Sequence, residues 1–202
     1  MLTTKSMYRW FLHRGVVNKR LQGVWKSKLP MKLKVFLWQI FHNKLQTGVK
    51  LKKKRKWRGS EKCNLCEKAE TVDHIFFSCV LAKFVWVCFK EALGWDRELT
   101  SWQDFLDNWI PLGCRDYSSK LFLSTIVFWA LWIIRNKRVI EGKFPRYPTE
   151  LLIKSNKFLQ KWKVLLRGED QVKIEGWVAQ VKGWLESFME KLRRRPPEDT
   201  FL

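Results

Sequence analysis

The chain has 202 residues, and with 46% of them hydrophobic and thirteen of them Trp it carries ample apolar material for a packed core, which excludes a disordered chain. Forty Lys and Arg against nineteen Asp and Glu give a formal charge of +21 and a pI near 10.0. A field of that size attracts polyanions, nucleic acid or an anionic membrane surface, without regard to their sequence.

The charge is lopsided. Residues 1–60 hold seventeen of the Lys and Arg and no Asp or Glu, so +17 of the +21 lies there, and this N-terminal third is expected to face the polyanion. Residues 1–30 read as a basic N-terminal segment. Met1 to Arg20 lacks the uninterrupted apolar stretch of a secretory signal. Its basic, acid-free composition with Ser and Thr suits a mitochondrial presequence as well as a nuclear or cytoplasmic protein. After Pro30, the residues Leu33, Phe36, Leu37, Ile40, Phe41 and Leu45 form one apolar stripe at helical spacing, with Lys32 and Lys34 off it and Trp38 on its flank. His42 falls beside that stripe and reads as a hydrogen-bonded structural histidine rather than a ligand.

The run Lys50, Lys52, Lys53, Lys54, Arg55, Lys56 and Arg58 puts seven bases in nine positions, dense enough to contact several phosphates and release their counterions. A solvated basic loop or a nuclear-import signal has the same composition. Trp57, flanked by cations, is placed either to stack on a base or to pack against the segment that follows.

That segment, Cys63 to Cys79, reads C-x2-C-x7-H-x4-C. The two-residue gap lets one tight turn aim Cys63 and Cys66 at a single point, and His74 with Cys79 completes a Cys3His tetrahedron. This is the closed geometry of structural Zn2+, with no position left for a catalytic water. An odd number of cysteines, five, and no secretory signal point to a reducing compartment and metal rather than disulfides. Cys88, among Phe84, Trp86 and Phe89, reads as a buried inert thiol, and Cys114 has no assigned role.

Beyond the ligands the pattern stays helical. One helix is expected over Ala82–Leu93, stopped at Gly94, and a shorter one from Thr100, capped through Gln103, to Trp109. Ser118 or Ser119 is expected to cap a long apolar helix ending near Glu141-Gly142. Its uninterrupted run, Leu121 to Ile134, falls short of the ~20 residues a bilayer needs and reads as a buried central helix, so no membrane span is expected. A helix opening at Pro148-Thr149 and ending at Gly168 carries Leu151, Leu152, Ser155, Phe158, Leu159, Trp162, Leu165 and Leu166 on one face. The last, about Gln171 to Arg195, carries Trp177, Val181, Trp184, Leu185, Phe188 and Leu192, and a frayed tail follows Pro196-Pro197. Most tryptophans lie on such stripes, so Trp86, Trp129, Trp132, Trp162 and Trp184 are expected in the core. The fold expected is all-α, a helical bundle with an early zinc-stapled loop, divided into residues 1–30, a zinc-binding helical domain over 31–165, and a C-terminal amphipathic helix with its tail over 166–202.

Several of these features occur together in one known family. Trp25-Lys26-Ser27-Lys28-Leu29-Pro30, Lys32, Lys34, Phe36, Leu37, Trp38, His42-Asn43, Leu45 and Thr47 come first. The Cys63/Cys66 pair, Glu70-Thr71, Asp73-His74, Phe76-Phe77, Cys79, Ala82 and Trp86 follow, and then Trp129-x-x-Trp132-x-x-Arg135-Asn136. With the opening Lys5-Ser6-Met7-Tyr8, this order resembles the zinc-binding domain at the C-terminus of reverse transcriptases from plant LINE-type (non-LTR) retrotransposons, over about residues 5–165. The resemblance implies Cys63, Cys66, His74 and Cys79 as zinc ligands and a domain that engages RNA or DNA beside a polymerase. The polymerase itself needs paired aspartates for two metal ions, and the chain has no Asp-Asp pair. The chain therefore reads as the C-terminal piece of such a protein standing alone from its own Met1, and as non-enzymatic. The expected partner is DNA or RNA, held through the basic N-terminal third. A rival expectation is a host-recruited interaction protein that holds a partner protein through Trp177, Trp184 and Phe188.

Overall fold

A computed structural model describes residues 18–54 and 59–194. The opening Lys5-Ser6-Met7-Tyr8, the Arg55, Lys56, Trp57 and Arg58 part of the basic run, and the tail after Arg194 lie outside the described residues. Helix α1 (Lys19–Lys26) is capped by Asn18, whose side chain accepts from the N–H groups of Arg20 and Leu21. It packs on α2 (Met31–Phe41), and α3 (Gly48–Lys52) follows under a Thr47 cap. A π-helical turn over His74–Ser78 leads into α4 (Val80–Leu93). One turn of α-helix (Trp102–Asp104) widens into a second π-turn (Phe105–Trp109), and then come α5 (Tyr117–Glu141), α6 (Thr149–Trp162) and α7 (Glu169–Arg194). The fold is all-α: among the described residues the only β-pairing is a single antiparallel bridge between Lys62 and Ala69.

Helix α5 is the central element, with α2, the first π-turn, α6 and α7 against it. Its residues Leu121 to Phe128 are buried without a break, as a helix apolar on all sides must be. Phe128 sits where the N-terminal and C-terminal halves meet, with Phe76, Phe77, Trp86, Trp102 and Phe105 around its ring at centroid distances of 5.1–6.1 Å. Trp86 and Trp162 are buried, while Trp129, Trp132 and Trp184 are half-buried against the core. The buried indole N–H of Trp86 donates to the Phe76 carbonyl at 2.7 Å, and that of Trp109 to the Ser124 hydroxyl at 3.1 Å. Gly94 and Gly142 take the left-handed conformation (φ 63° and 67°) that closes α4 and α5.

Several local expectations are corrected. Helix α2 ends at Phe41, so Leu45 of its stripe is buried from the following loop, not from the helix. His42 is exposed and packs its ring on Trp38 at 5.0 Å instead of hydrogen-bonding within the core. Ser101, not Thr100, caps the turn before Phe105: its hydroxyl accepts from the Asp104 N–H, and Thr100 instead donates to the Asp104 carboxylate. Neither Ser118 nor Ser119 caps α5; Asp116 holds that position without a side-chain cap bond, and Ser119 is buried, donating to Asp170 at the start of α7. Helix α5 is also longer than its apolar run, 25 residues, and is long and apolar enough to cross a membrane. Its most apolar stretch is 67% buried beneath the other helices.

Candidate metal centre

The first two ligands sit on a knuckle whose backbone is tied at both ends. The Cys63 N–H donates to the Lys68 carbonyl and the Glu67 N–H returns to the Cys63 carbonyl, both at 2.8 Å, while the Glu70 N–H donates to the Glu61 carbonyl at 2.9 Å. Closing so tight a turn forces Glu67 into the left-handed region at φ 57°. The knuckle aims the backbone N–H groups of Leu65 and Cys66 at the Cys63 sulfur. The other two ligands flank the π-turn, where the Cys79 N–H donates to the His74 carbonyl at 2.8 Å. The extra residue of a π-turn, together with an extended backbone at Cys79, brings both side chains to the same side. Thr71 fixes the start of that turn by accepting from the His74 N–H at 3.1 Å.

The structure thus gathers the four residues predicted from spacing. One ligand atom from each of Cys63, Cys66, His74 and Cys79 lies within 4.8 Å of all the others, and all but Cys66 are buried. The Cys63 and Cys79 sulfurs are 3.9 Å apart, close to the ~3.8 Å edge of a tetrahedron with 2.3 Å zinc–sulfur bonds. The Cys66 sulfur is 3.2 Å from His74 Nε2, and the Ser78 hydroxyl is 3.4 Å from Nδ1 on the far side of the ring. With Nδ1–H donating to Ser78, the Nε2 lone pair is left for a metal. Electrostatics point the same way. Hydrogen bonding from the Cys79 thiol, with help from the Leu65 and Cys66 N–H groups, brings Cys63 down to about 4. Cys79 is pushed up by its bond to Cys63 and by burial. The two sulfurs thus share one proton between a Cys63 thiolate and a Cys79 thiol. A divalent, thiophilic cation, which the donor set suits, would displace that proton and hold both as thiolates.

A link absent from the spacing argument holds this loop to the bundle. Glu70 is buried, and its Oε1 accepts from the Gly48 N–H at 2.7 Å and from Arg135 Nε at 3.0 Å, with Arg135 Nη2 also on it. The sequence offered Glu70 and Arg135 as separate motif residues 65 positions apart, and nothing in their local pattern pairs them. A Cβ on Gly48 would lie 3.0 Å from the Glu61 carbonyl oxygen and 3.1 Å from Glu70 Oε1, so a glycine is needed for the close approach. One helical turn on from Arg135, Arg138 donates to the Asn64 carbonyl inside the knuckle at 2.7 Å.

Of the basic run, Lys50 and Lys52 lie on α3, and Lys52, Lys53 and Lys54 are exposed. Lys54 donates to the Gln46 side chain at 2.5 Å. Trp177 packs edge-on against Trp95 at 6.0 Å, and Trp184 stacks on Phe188 at 4.9 Å; all three α7 residues are half-buried. Cys88 is buried and its thiol is pushed up to about 12, chiefly by that burial, which keeps it protonated and inert.

Residues 2–86 match the model of the family described as zinc-binding in reverse transcriptase. The match supports a reverse transcriptase zinc-binding domain. It takes in the whole Cys3His cluster, α1 to α3 and the first half of α4, whereas Arg135, which clamps the loop through Glu70, lies beyond it. No curated protein and no solved structure matches the chain.

Proposed function

We propose that this is a non-enzymatic, zinc-stapled nucleic-acid-binding protein, derived from the C-terminal domain of a plant LINE-type retrotransposon reverse transcriptase. Zn2+ is structural: Cys63, Cys66, His74 and Cys79 fill all four positions of a tetrahedron, and the metal's binding free energy contributes to folding. The observation that carries the binding role is the mounting of the basic run. Lys50 and Lys52 leave a short helix whose first N–H is fixed on Glu70, beside the metal loop, Lys53 and Lys54 follow its end, and none of the four has a carboxylate partner among the described residues. Unpaired cations on a rigid base suit phosphates, and a charge-led contact binds steeply with salt and with little regard to base sequence. Arg55, Lys56, Trp57 and Arg58 would extend the same contact. The compartment that fits is nucleus or cytoplasm, and burial of α5 favours a protein without a membrane span.

The test is fluorescence anisotropy of the zinc-loaded protein on DNA and RNA, single- and double-stranded, over a salt series. The joint substitution Lys52→Glu, Lys53→Glu and Lys54→Glu should abolish binding and leave the circular dichroism spectrum unchanged. Retained binding would remove the basic run from the interface.

A second reading, a protein-interaction module, has one observation in its favour. Beside Phe188, an apolar cavity of about 440 Å³ is lined by Phe84, Tyr147, Met189 and Leu192, and Leu192 is 47% exposed. Light scattering on the purified chain discriminates: a dimer broken by Phe188→Asp would favour this reading, and a monomer would count against self-association through α7.

A further inference from the structure

Away from the basic run, an open groove of about 620 Å³ runs between the C-terminal half of α5 and α6, closed at one end by the turn at Lys143–Pro145. Lys137, Lys143, Lys154 and Lys157 line it, with Glu150 as the one acid. Glu150 is already engaged, accepting from the Tyr147 N–H at 3.2 Å, and Lys143 pairs with Glu141 at 3.4 Å. Lys137, Lys154 and Lys157 have no ion pair among the described residues. Lys154 and Lys157 share one face of α6 at i, i+3, across from Lys137 on α5. Burial, and then the charge of Lys137, holds the Lys154 ammonium below its ordinary range, against the pull of Glu150. Such a crowd of like charges is relieved by an anion.

The rest of the lining is of another kind. It comes from Ile134, Phe144, Ile153 and Phe158, and Phe158 is stacked on Trp162 at 4.9 Å and 10°. Cations interleaved with apolar and aromatic side chains are the composition of grooves that track the backbone of a single strand and receive its bases. A concave site within the size range of small-ligand pockets also fits a nucleotide unit better than a flat membrane surface. Ile134 and Phe144 line, on their other side, a small cavity shared with Cys63, His74 and Cys79, so the groove abuts the metal knuckle.

We propose that this α5–α6 groove is a second phosphate-binding site, in which Lys137, Lys154 and Lys157 contact the phosphates of a single-stranded nucleic acid while the aromatic side chains beside them receive a base. The class of ligand rests on the nucleic-acid reading above; the location rests on the groove alone.

The experiment compares the parent chain with two variants, Lys137→Gln/Lys154→Gln/Lys157→Gln and Lys52→Gln/Lys53→Gln/Lys54→Gln, by anisotropy on fluorescent oligothymidylate over a salt series. Lysine acetylation footprinting of the parent, with and without the oligonucleotide, runs beside it. The groove variant should flatten the log–log salt slope by about 2, three lost contacts at ~0.7 each, and weaken binding roughly tenfold at moderate salt. Lys154 and Lys157 should be protected in the parent. An unchanged slope with unprotected groove lysines, while the Lys52–Lys54 variant loses binding, would overturn the groove and leave the basic run standing. Failure of the parent to bind any oligonucleotide would overturn the nucleic-acid reading and this proposal together. Groove-dependent binding to phosphatidylserine vesicles but not to oligothymidylate would overturn it in favour of a lipid surface.

Discussion

The loop at Glu61–Cys79 and the helices from Tyr117 to Arg194 hold their shape by different physics. The helices bury Leu, Ile, Val and Phe side chains on facing stripes, with aromatic rings at contact distance, and their buried polar groups, such as Ser119 and Asn156, bond to a neighbouring helix. The loop is too short for a core of its own. Reciprocal backbone bonds fix it locally, three sulfurs and one imidazole nitrogen converge within 4.8 Å of one another, and one buried carboxylate, Glu70, clamps it to Arg135. The two regions therefore depend on one another unequally. The helices offer the loop an anchor, whereas the loop's own hold is its backbone knuckle and the Cys3His cluster, for which zinc is the proposed ligand.

The largest effect should come from taking the proposed zinc away. The purified protein should carry one zinc per chain, and chelation should strip hydrogen-exchange protection from residues 61–79 while α5, α6 and α7 keep most of theirs. Uniform loss across the chain would mean that the two regions fold as one unit, and no loss anywhere would remove the metal from the folding account. Next is the clamp. Glu70→Ala should cost about 3 kcal/mol in denaturant unfolding, since it leaves the largely covered Arg135 guanidinium with only the Asn136 side chain as acceptor and orphans the Gly48 N–H. The double replacement Glu70→Leu/Arg135→Leu should cost less than the single one; equal costs would show that the ion pair does not join the regions. The smallest effect lies within the knuckle. Glu67→Gly should stabilise the loop by up to about 1 kcal/mol by relieving the left-handed backbone at that residue, read as a higher midpoint for metal release on titration with a competing chelator.

Much of this was legible because it depends on short sequence separations. A spacing of C-x2-C-x7-H-x4-C specifies a cluster by chain geometry alone, and apolar stripes bounded by Pro or Gly placed α2, α4, α5 and α7 to within a few residues. Helix α6 ends at Trp162, short of the expected Gly168, where the chain tightens into a 3-10 turn over Lys163–Leu165 and leaves Leu165 exposed. Errors arose where neighbours compete. Thr100 and Ser101 both offer a hydroxyl, and only the extended backbone at Ser101 lets it reach Asp104 N–H. Ser119 looked like a cap until α7 supplied Asp170 as its acceptor. Leu45 kept the helical spacing after the helix had ended.

The sequence by itself determined the helical class, the central place of α5, the Cys3His cluster and the basic N-terminal third, because each follows from composition or from the fixed rise of a local chain. Only the tertiary structure decided that Glu70 meets Arg135, that Arg138 reaches the knuckle, and that Lys137 faces Lys154 and Lys157 across a groove. Those residues lie on different elements, and their meeting depends on how the helices pack around Phe128, which no local spacing encodes.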